Sequence, residues 1–237
     1  MSLLVEGIDA YYGKSKILSD VGLHIDEGEV VALMGRNGVG KTTTLRTIMG
    51  IVPPGKGSLI LNENDITGFK PHQIARLGIG YVPEERAIFP RLTARENLLM
   101  GKRAMRGRAR SDDYWNLDRI YNVFPALRTR SHLRGIALSG GEQQMLTIAR
   151  TLMGNPVMLL VDEPTEGLAP LVRRSVVDIL REIHQHSVSI LLVEQNMQVA
   201  LSLAQRGYLM SKGCIVYSGS SEEIRENEEV RRKYLEV

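Results

Sequence analysis

Cysteine is nearly missing from this sequence. A single residue, Cys214, stands among 237, so no internal disulfide can form and a reducing compartment is the expected setting. Its place in an apolar stretch reads as a buried strand position rather than a reactive thiol. Long hydrophobic runs are missing too. None approaches the ~18 residues of a membrane span, so any membrane role is expected to be peripheral. The start, Met1-Ser2-Leu3-Leu4-Val5-Glu6, shows no basic region leading into an apolar one, and no secretory leader is expected. An excess of one charge sign is nearly missing as well, with 30 Lys and Arg against 27 Asp and Glu. A net charge of +3 does not demand nucleic acid, and an anionic nucleotide or an anionic membrane surface suits it equally. The length allows one large domain or two small ones around a sizeable core.

Against these absences stands Gly35-Arg36-Asn37-Gly38-Val39-Gly40-Lys41-Thr42, which fits G-x-x-x-x-G-K-[ST]. It follows the apolar run Val30–Met34, which reads as a buried strand. It precedes Thr43–Met49, which reads as a helix. Glycines let several backbone N–H groups point at one oxyanion, and the helix N-terminus adds partial positive charge. Lys41 would bridge the β- and γ-phosphates and the Thr42 hydroxyl would bind Mg²⁺, with Thr43 continuing the nucleotide-binding turn.

Upstream, residues 3–12 and 17–26 read as two strands joined at Gly13-Lys14-Ser15-Lys16. Tyr12 is either a stacking platform for a base or a ring packed on the sheet. Downstream, Pro53–Gly57 reads as a break, Ser58–Leu61 as a short strand and Pro71–Leu77 as a helix. Ile79–Glu84 reads as a strand whose pairing Pro83 ends. Thr93-Ala94-Arg95-Glu96 is a capping box opening a helix through Ala104. Lys102, Arg103, Arg106, Arg108 and Arg110 form a basic cluster, which suits a partner or lipid contact or simply a solvated loop. Ser111 or Asp112 caps the next helix, with Trp115, Ile120 and Val123 in the core. A charged helix, Ser221 to Leu235, closes the chain.

Two further stretches carry chemistry. Leu138-Ser139-Gly140-Gly141-Glu142-Gln143-Gln144 is a second glycine turn running into a helix, hence a second anion site. One such site can grip a nucleotide in cis while the other faces a nucleotide held by a partner chain. Val157–Glu163 is a continuous apolar run ending in two acids, a buried strand that delivers carboxylates where α/β sheets bind ligands. Asp162 suits the Mg²⁺ shell. Glu163 would polarise the water that attacks the γ-phosphate. Ser189–Val193 is another buried strand, followed by Glu194-Gln195-Asn196.

The order and spacing of these three motifs resemble an ABC transporter ATPase subunit over the whole chain. Within that superfamily the chain is most similar to the LivF-type subunit of branched-chain amino-acid importers. Tyr81-Val82-Pro83-Glu84, Phe89–Thr93 with Glu96-Asn97-Leu98, Gly167-Leu168-Ala169-Pro170 and Leu192–Asn196 carry the narrower match. Glu84 stands where most members have a glutamine that contacts Mg²⁺ and the attacking water. Gln195 replaces the usual switch histidine. Ala169 replaces an aspartate.

The resemblance implies an α/β fold. A P-loop NTPase (RecA-like) core (residues 1–85 and 155–237) carries an N-terminal antiparallel β-subdomain and an inserted helical signature subdomain (86–154). It implies ATP held between Tyr12, residues 35–43, Glu84, Asp162 and Glu163 of one chain and Ser139, Gly140, Gly141 and Glu142 of another. Glu84, Thr42 and Asp162 are then the Mg²⁺ ligands, and Glu163, Gln195 and Lys41 the catalytic groups. The implied partners are a second ABC ATPase subunit (homodimer or heterodimer), polytopic membrane permease subunits and, indirectly, an extracytoplasmic substrate-binding protein, with no nucleic acid. The implied place is the cytoplasmic face of the inner membrane. A urea, amide or other amino-acid importer, or a non-transport ABC ATPase switch, would carry much the same cassette.

Overall fold

Val30–Met34 (β3) carries neither charge nor turn former, and all five residues are buried. A strand apolar on both faces fits the middle of a parallel sheet covered above and below. The computed structural model, which describes residues 2–102 and 115–234, places it there. β3 runs parallel to Ser189–Glu194 (β8) on one side and to Arg206–Ser211 (β9) on the other. Met158–Asp162 (β7) and Ile79–Val82 (β6) extend the parallel run beyond β8. Cys214–Ser220 (β10) closes the other edge, antiparallel to β9.

Register is what makes a site of this sheet. Met34 lies opposite Glu194, Val193 opposite Asp162, and Val161 opposite Val82. Four strands therefore end at one rim, the edge where open α/β sheets bind ligands. The chain leaves that rim through Gly35, Glu84, Glu163 and Gln195, four residues from distant parts of the sequence.

Alternation along the strands divides the core in two. Val30, Ala32, Met34, Leu159, Val161, Ile190 and Leu192 share one core with helices Ala94–Gly101 (α3), Gly140–Leu152 (α6), Pro170–Gln185 (α7) and Met197–Leu203 (α8). Phe124 and Leu127, at helices Leu117–Val123 (α4) and Pro125–Thr129 (α5), complete it. Val31, Leu33, Met158, Leu160, Leu191 and Val193 face the other core. That layer is closed by helix Lys41–Ile48 (α1) and by a four-stranded antiparallel sheet. The sheet is built from Leu3–Tyr12 (β1), Ser15–Ile25 (β2), Pro54–Leu61 (β4) and Asn64–Asp65 (β5), in the order β2-β1-β4-β5. The fold is thus an α/β P-loop arrangement with an antiparallel sheet and helical elements around it. Among the described residues no helix is long and apolar enough to cross a membrane.

Several local expectations change. Pro53–Gly57 does not break the chain outright, because β4 already begins at Pro54. That residue pairs with Ala10 as the first of the strand, a position that sheets allow to proline. The closing helix is two helices, Ser221–Glu226 (α9) and Glu228–Tyr234 (α10). They part at Asn227, whose side chain accepts from Val230 N at 3.1 Å and so caps the second. Helix α3 ends at Gly101. Arg103, Arg106, Arg108 and Arg110, with the caps expected at Ser111 or Asp112, lie outside the described residues. Phe124 is fully buried where Val123 was expected, and Val123 is only partly so. Cys214 is half-buried on the edge strand. Helix Pro71–Leu77 (α2) matches its expected bounds, Pro at N1 included.

Candidate nucleotide site

At the rim, Gly35–Thr42 wraps into the N-terminus of α1. Gly40 sits at φ 114°, and a Cβ there would stand 2.8 Å from Leu18 Cδ2. Only glycine passes this point with that backbone. Gly40 also offers no side-chain cap, and the first turn of α1 holds no acid. The amide groups that a helix leaves unsatisfied at its start therefore open onto a cavity of about 300 Å³. Asn37, Gly38, Lys41, Thr42, Glu84 and Glu163 are among the residues that line it.

Lys41 is the buried cation of this cavity. Its Nζ donates to the carbonyls of Gly35 at 3.0 Å and Arg36 at 3.1 Å, and it pairs with Glu163 Oε1 at 3.1 Å. Lys41 and Glu163 are 4% and 8% exposed, so the pair is desolvated and each group neutralises the other. Glu163 is held at φ 41°, an uncommon conformation for a residue with a side chain, and its N–H donates to Val193 O at 2.9 Å. The backbone bend turns the glutamate out of β7 and into the cavity.

Its neighbour Asp162 is fully buried at the end of β7. Thr42 Oγ1 donates to Asp162 Oδ1 at 3.1 Å, and Tyr81 Oη donates to Oδ2 at 3.2 Å. Burial pushes Asp162 up to about 6, against the two hydroxyl donors that favour its charged form. Thr42 and Asp162 are the oxygen donors that suit Mg²⁺, which takes one or two carboxylates and fills its shell with water and phosphate. Among the described residues no cluster of three or more His, Cys, Asp or Glu could hold a metal alone. That donor set fits a nucleotide-bound ion rather than a resident one. Glu84, the third expected ligand, lines the same cavity from the loop after β6.

Gln195 lies on the far side of Glu163. A neighbouring cavity of about 320 Å³ is lined by Glu163, Glu166, Glu194 and Gln195, so the rim brings the two residues to one place. Tyr12 does not line the P-loop cavity. It stands 46% exposed at the end of β1, its hydroxyl against the Arg46 guanidinium of α1. Ile17 of β2 is the side chain from that sheet which does line it.

The second glycine turn is elsewhere. Ser139 caps α6, and Glu142 Oε2 accepts from Ser139 N at 2.8 Å and from its Oγ at 2.9 Å. Glu142 also pairs with Arg130 at 2.5 Å, so it serves the helix start itself. The Arg86 guanidinium lies against Gly140, where a Cβ would stand 2.4 Å from Nη1. None of Ser139, Gly140, Gly141 and Glu142 lines the cavity at the P-loop.

The sequence reading missed four groups here. Glu166 lines the cavity, and its hydrogen bond with Glu163 pushes it up to about 7. Glu194 is buried and accepts from Thr165 Oγ1 at 2.7 Å. Tyr81 and Arg46 stand behind Asp162.

Comparison with known proteins decides the family. The ABC transporter family model matches residues 18–166. The chain belongs to the ABC transporter ATP-binding family. It is an ATPase subunit of a transporter. It is 39% identical to the high-affinity branched-chain amino acid transport ATP-binding protein BraG of Pseudomonas aeruginosa, across 98% of this chain and 99% of that one. It is 35% identical to the lipopolysaccharide export system ATP-binding protein LptB of Escherichia coli, across 95% and 93%. Among solved structures, an ATP-binding subunit of an ABC transporter superposes with a TM-score of 0.83 at 26% identity, covering 98% of this chain and 95% of that one.

Proposed function

We propose that this cassette powers import of branched-chain amino acids by hydrolysing ATP between two cassettes. The carrying observation is the buried Lys41–Glu163 pair at the uncapped start of α1. The phosphates of ATP take the α1 amides and draw Lys41 off Glu163. Glu163, released from its cation, accepts the hydrogen bond of the attacking water, while Gln195 donates from the opposite side. Thr42 and Asp162, with Glu84 beside them, would hold Mg²⁺, which would supply charge neutralisation on the phosphoryl oxygens. Positioning and electrostatics carry this reaction, and the chain needs no covalent intermediate.

The position of the signature turn supports a composite site. Ser139, Gly140 and Gly141 stand apart from their own chain's P-loop, so a second cassette brings them to the nucleotide. Residues 1–85 and 155–237 then act as the nucleotide-binding core and 86–154 as the helical signature part. A groove of about 370 Å³, lined by Met49, Ile79, Phe89, Met100 and Pro156, lies beside the loop after Glu84. Phe89 and Met100 are 44% and 40% exposed. An apolar groove of this kind suits a segment of a polytopic membrane subunit, and on this reading the cassette works peripherally at the cytoplasmic face of the inner membrane.

The substrate assignment leans on BraG over LptB, and LptB is only slightly more distant. Trapping Glu163→Gln with ATP and Mg²⁺ in solubilised membranes of its own cell separates the two. The import reading expects polytopic membrane subunits, a second cassette and a capture protein that binds leucine, isoleucine or valine. Recovery of a lipopolysaccharide-export assembly, or of no membrane subunit in several detergents, would overturn it.

A further inference from the structure

Asp162 is held on both edges of its carboxylate, one of them by a residue outside the phosphate-binding turn. Its Oδ1 edge takes the Thr42 hydroxyl at 3.1 Å and faces the cavity. Its Oδ2 edge takes the Tyr81 hydroxyl at 3.2 Å, delivered by β6, the strand paired with β7. Arg46, one turn along α1 from Thr42, closes the arrangement. Its guanidinium lies against the hydroxyls of both Tyr81 and Tyr12 and pairs with Glu85 Oε1 at 3.1 Å.

The direction of the hydrogen bonds follows from chemistry. Arginine has donors only, so the Tyr81 oxygen must accept from Arg46 and spend its own proton on Asp162. A tyrosine fixed this way cannot turn its hydroxyl elsewhere. The carboxylate it holds cannot rotate without losing two hydrogen bonds in a buried place.

We propose that Tyr81, oriented by Arg46, is a positioning residue that fixes the Asp162 carboxylate for magnesium. The inference rests on the nucleotide-site reading above and goes beyond it. Tyr81 does not line the P-loop cavity. It acts through Asp162, and Arg46 extends the link to the exposed ring of Tyr12 and to the loop of Glu84 and Glu85.

The test is a magnesium titration of nucleotide binding, read by the anisotropy of a fluorescent ATP analogue on the full chain. Tyr81→Phe keeps the ring that lines the neighbouring groove and removes only the hydroxyl. Its Mg²⁺ midpoint should rise about tenfold, the size of one lost hydrogen bond to a charged group, while binding without Mg²⁺ stays within about twofold of wild type. Arg46→Met should shift the midpoint the same way by less. The double variant should shift it no further than Tyr81→Phe alone, because both act on one contact. An unchanged midpoint in Tyr81→Phe, or an equal loss with and without Mg²⁺, overturns the proposal. If Tyr81→Phe does not fold, an unchanged midpoint in Arg46→Met overturns it instead. Should wild type bind no nucleotide at all, the nucleotide-site reading itself falls, an outcome distinct from normal binding with an indifferent Tyr81→Phe.

Discussion

Two glycine turns lead into two helices in this molecule, and they end differently. At α1 the cap is Gly40, the first turn holds no acid, and the open amides face a cavity with a buried lysine. At α6 the cap is Ser139, Glu142 fills the first turn, and a full capping box satisfies the amides locally. The first helix start keeps its amides open, as an anion site would. The second has its amides satisfied by its own chain. A turn that must close around a ligand and one that must present a rigid face to a ligand held elsewhere call for this contrast.

The sharpest way to break the comparison is to give α1 a side chain at its cap. Gly40→Ala puts a Cβ 2.8 Å from Leu18 Cδ2 at a φ that alanine resists. It should destabilise the chain by about 1–3 kcal/mol. ATP affinity, read by calorimetry, should fall more than about tenfold as the loop loses its shape. Gly140→Ala is the matched change at α6. Its Cβ meets only the far end of the Arg86 side chain, which can swing away. The melting temperature and single-chain ATP binding should stay near wild type. ATP-driven pairing of Glu163→Gln cassettes, followed by light scattering, should be lost. If Gly140→Ala also abolishes single-chain binding, the two turns are not separate sites.

How much of this was legible in the sequence depends on distance along the chain. The P-loop, the capping box at Thr93 and the buried runs of β3, β7 and β8 are local patterns, and each stands where its pattern put it. The S-x-x-E spacing of Ser139 and Glu142 even held the signal that Glu142 serves its own helix, though the motif drew attention to the ligand instead. Tyr81, Arg46 and Asp162 were not legible as a group. They meet because β6 pairs with β7 across more than seventy residues of sequence, and no local pattern states that pairing. The two-helix ending was missed for a smaller reason, an asparagine that ends one helix and caps the next.

A finer comparison asks what the α6 cap is worth by itself. Ser139→Ala removes the hydroxyl that accepts from Glu142 N but leaves Glu142 bonded to Ser139 N and paired with Arg130. The cost should be about 1 kcal/mol, a melting shift of about 2–4 °C in a domain of this size. P-loop ATP binding should not move. A larger loss would mean that α6 depends on its cap as α1 depends on its ligand.

The smallest expected effect concerns Glu194, the acid at the end of β8 beside Gln195. It is 3% exposed, and burial raises it above the ordinary carboxylate value despite the bonds from Thr165 and from Asn196 N. The unfolded chain ionises this group near the ordinary value, and the folded chain ionises it at higher pH. Between the two, the folded state holds a proton that the unfolded state has released. The contribution of Glu194 to stability therefore falls as pH rises through that window and stays low above it. Glu194→Gln keeps an oxygen for the short bond from Thr165 Oγ1, gives up the 3.3 Å bond from Asn196 N and carries no charge at any pH. Its melting temperature relative to wild type should be more favourable at pH 8 than at about pH 4, where both side chains are neutral. A difference that is flat across that range would mean the folded chain hydrates Glu194 as water does. The rim would then be wetter beside Gln195 than at the buried pair of Lys41 and Glu163.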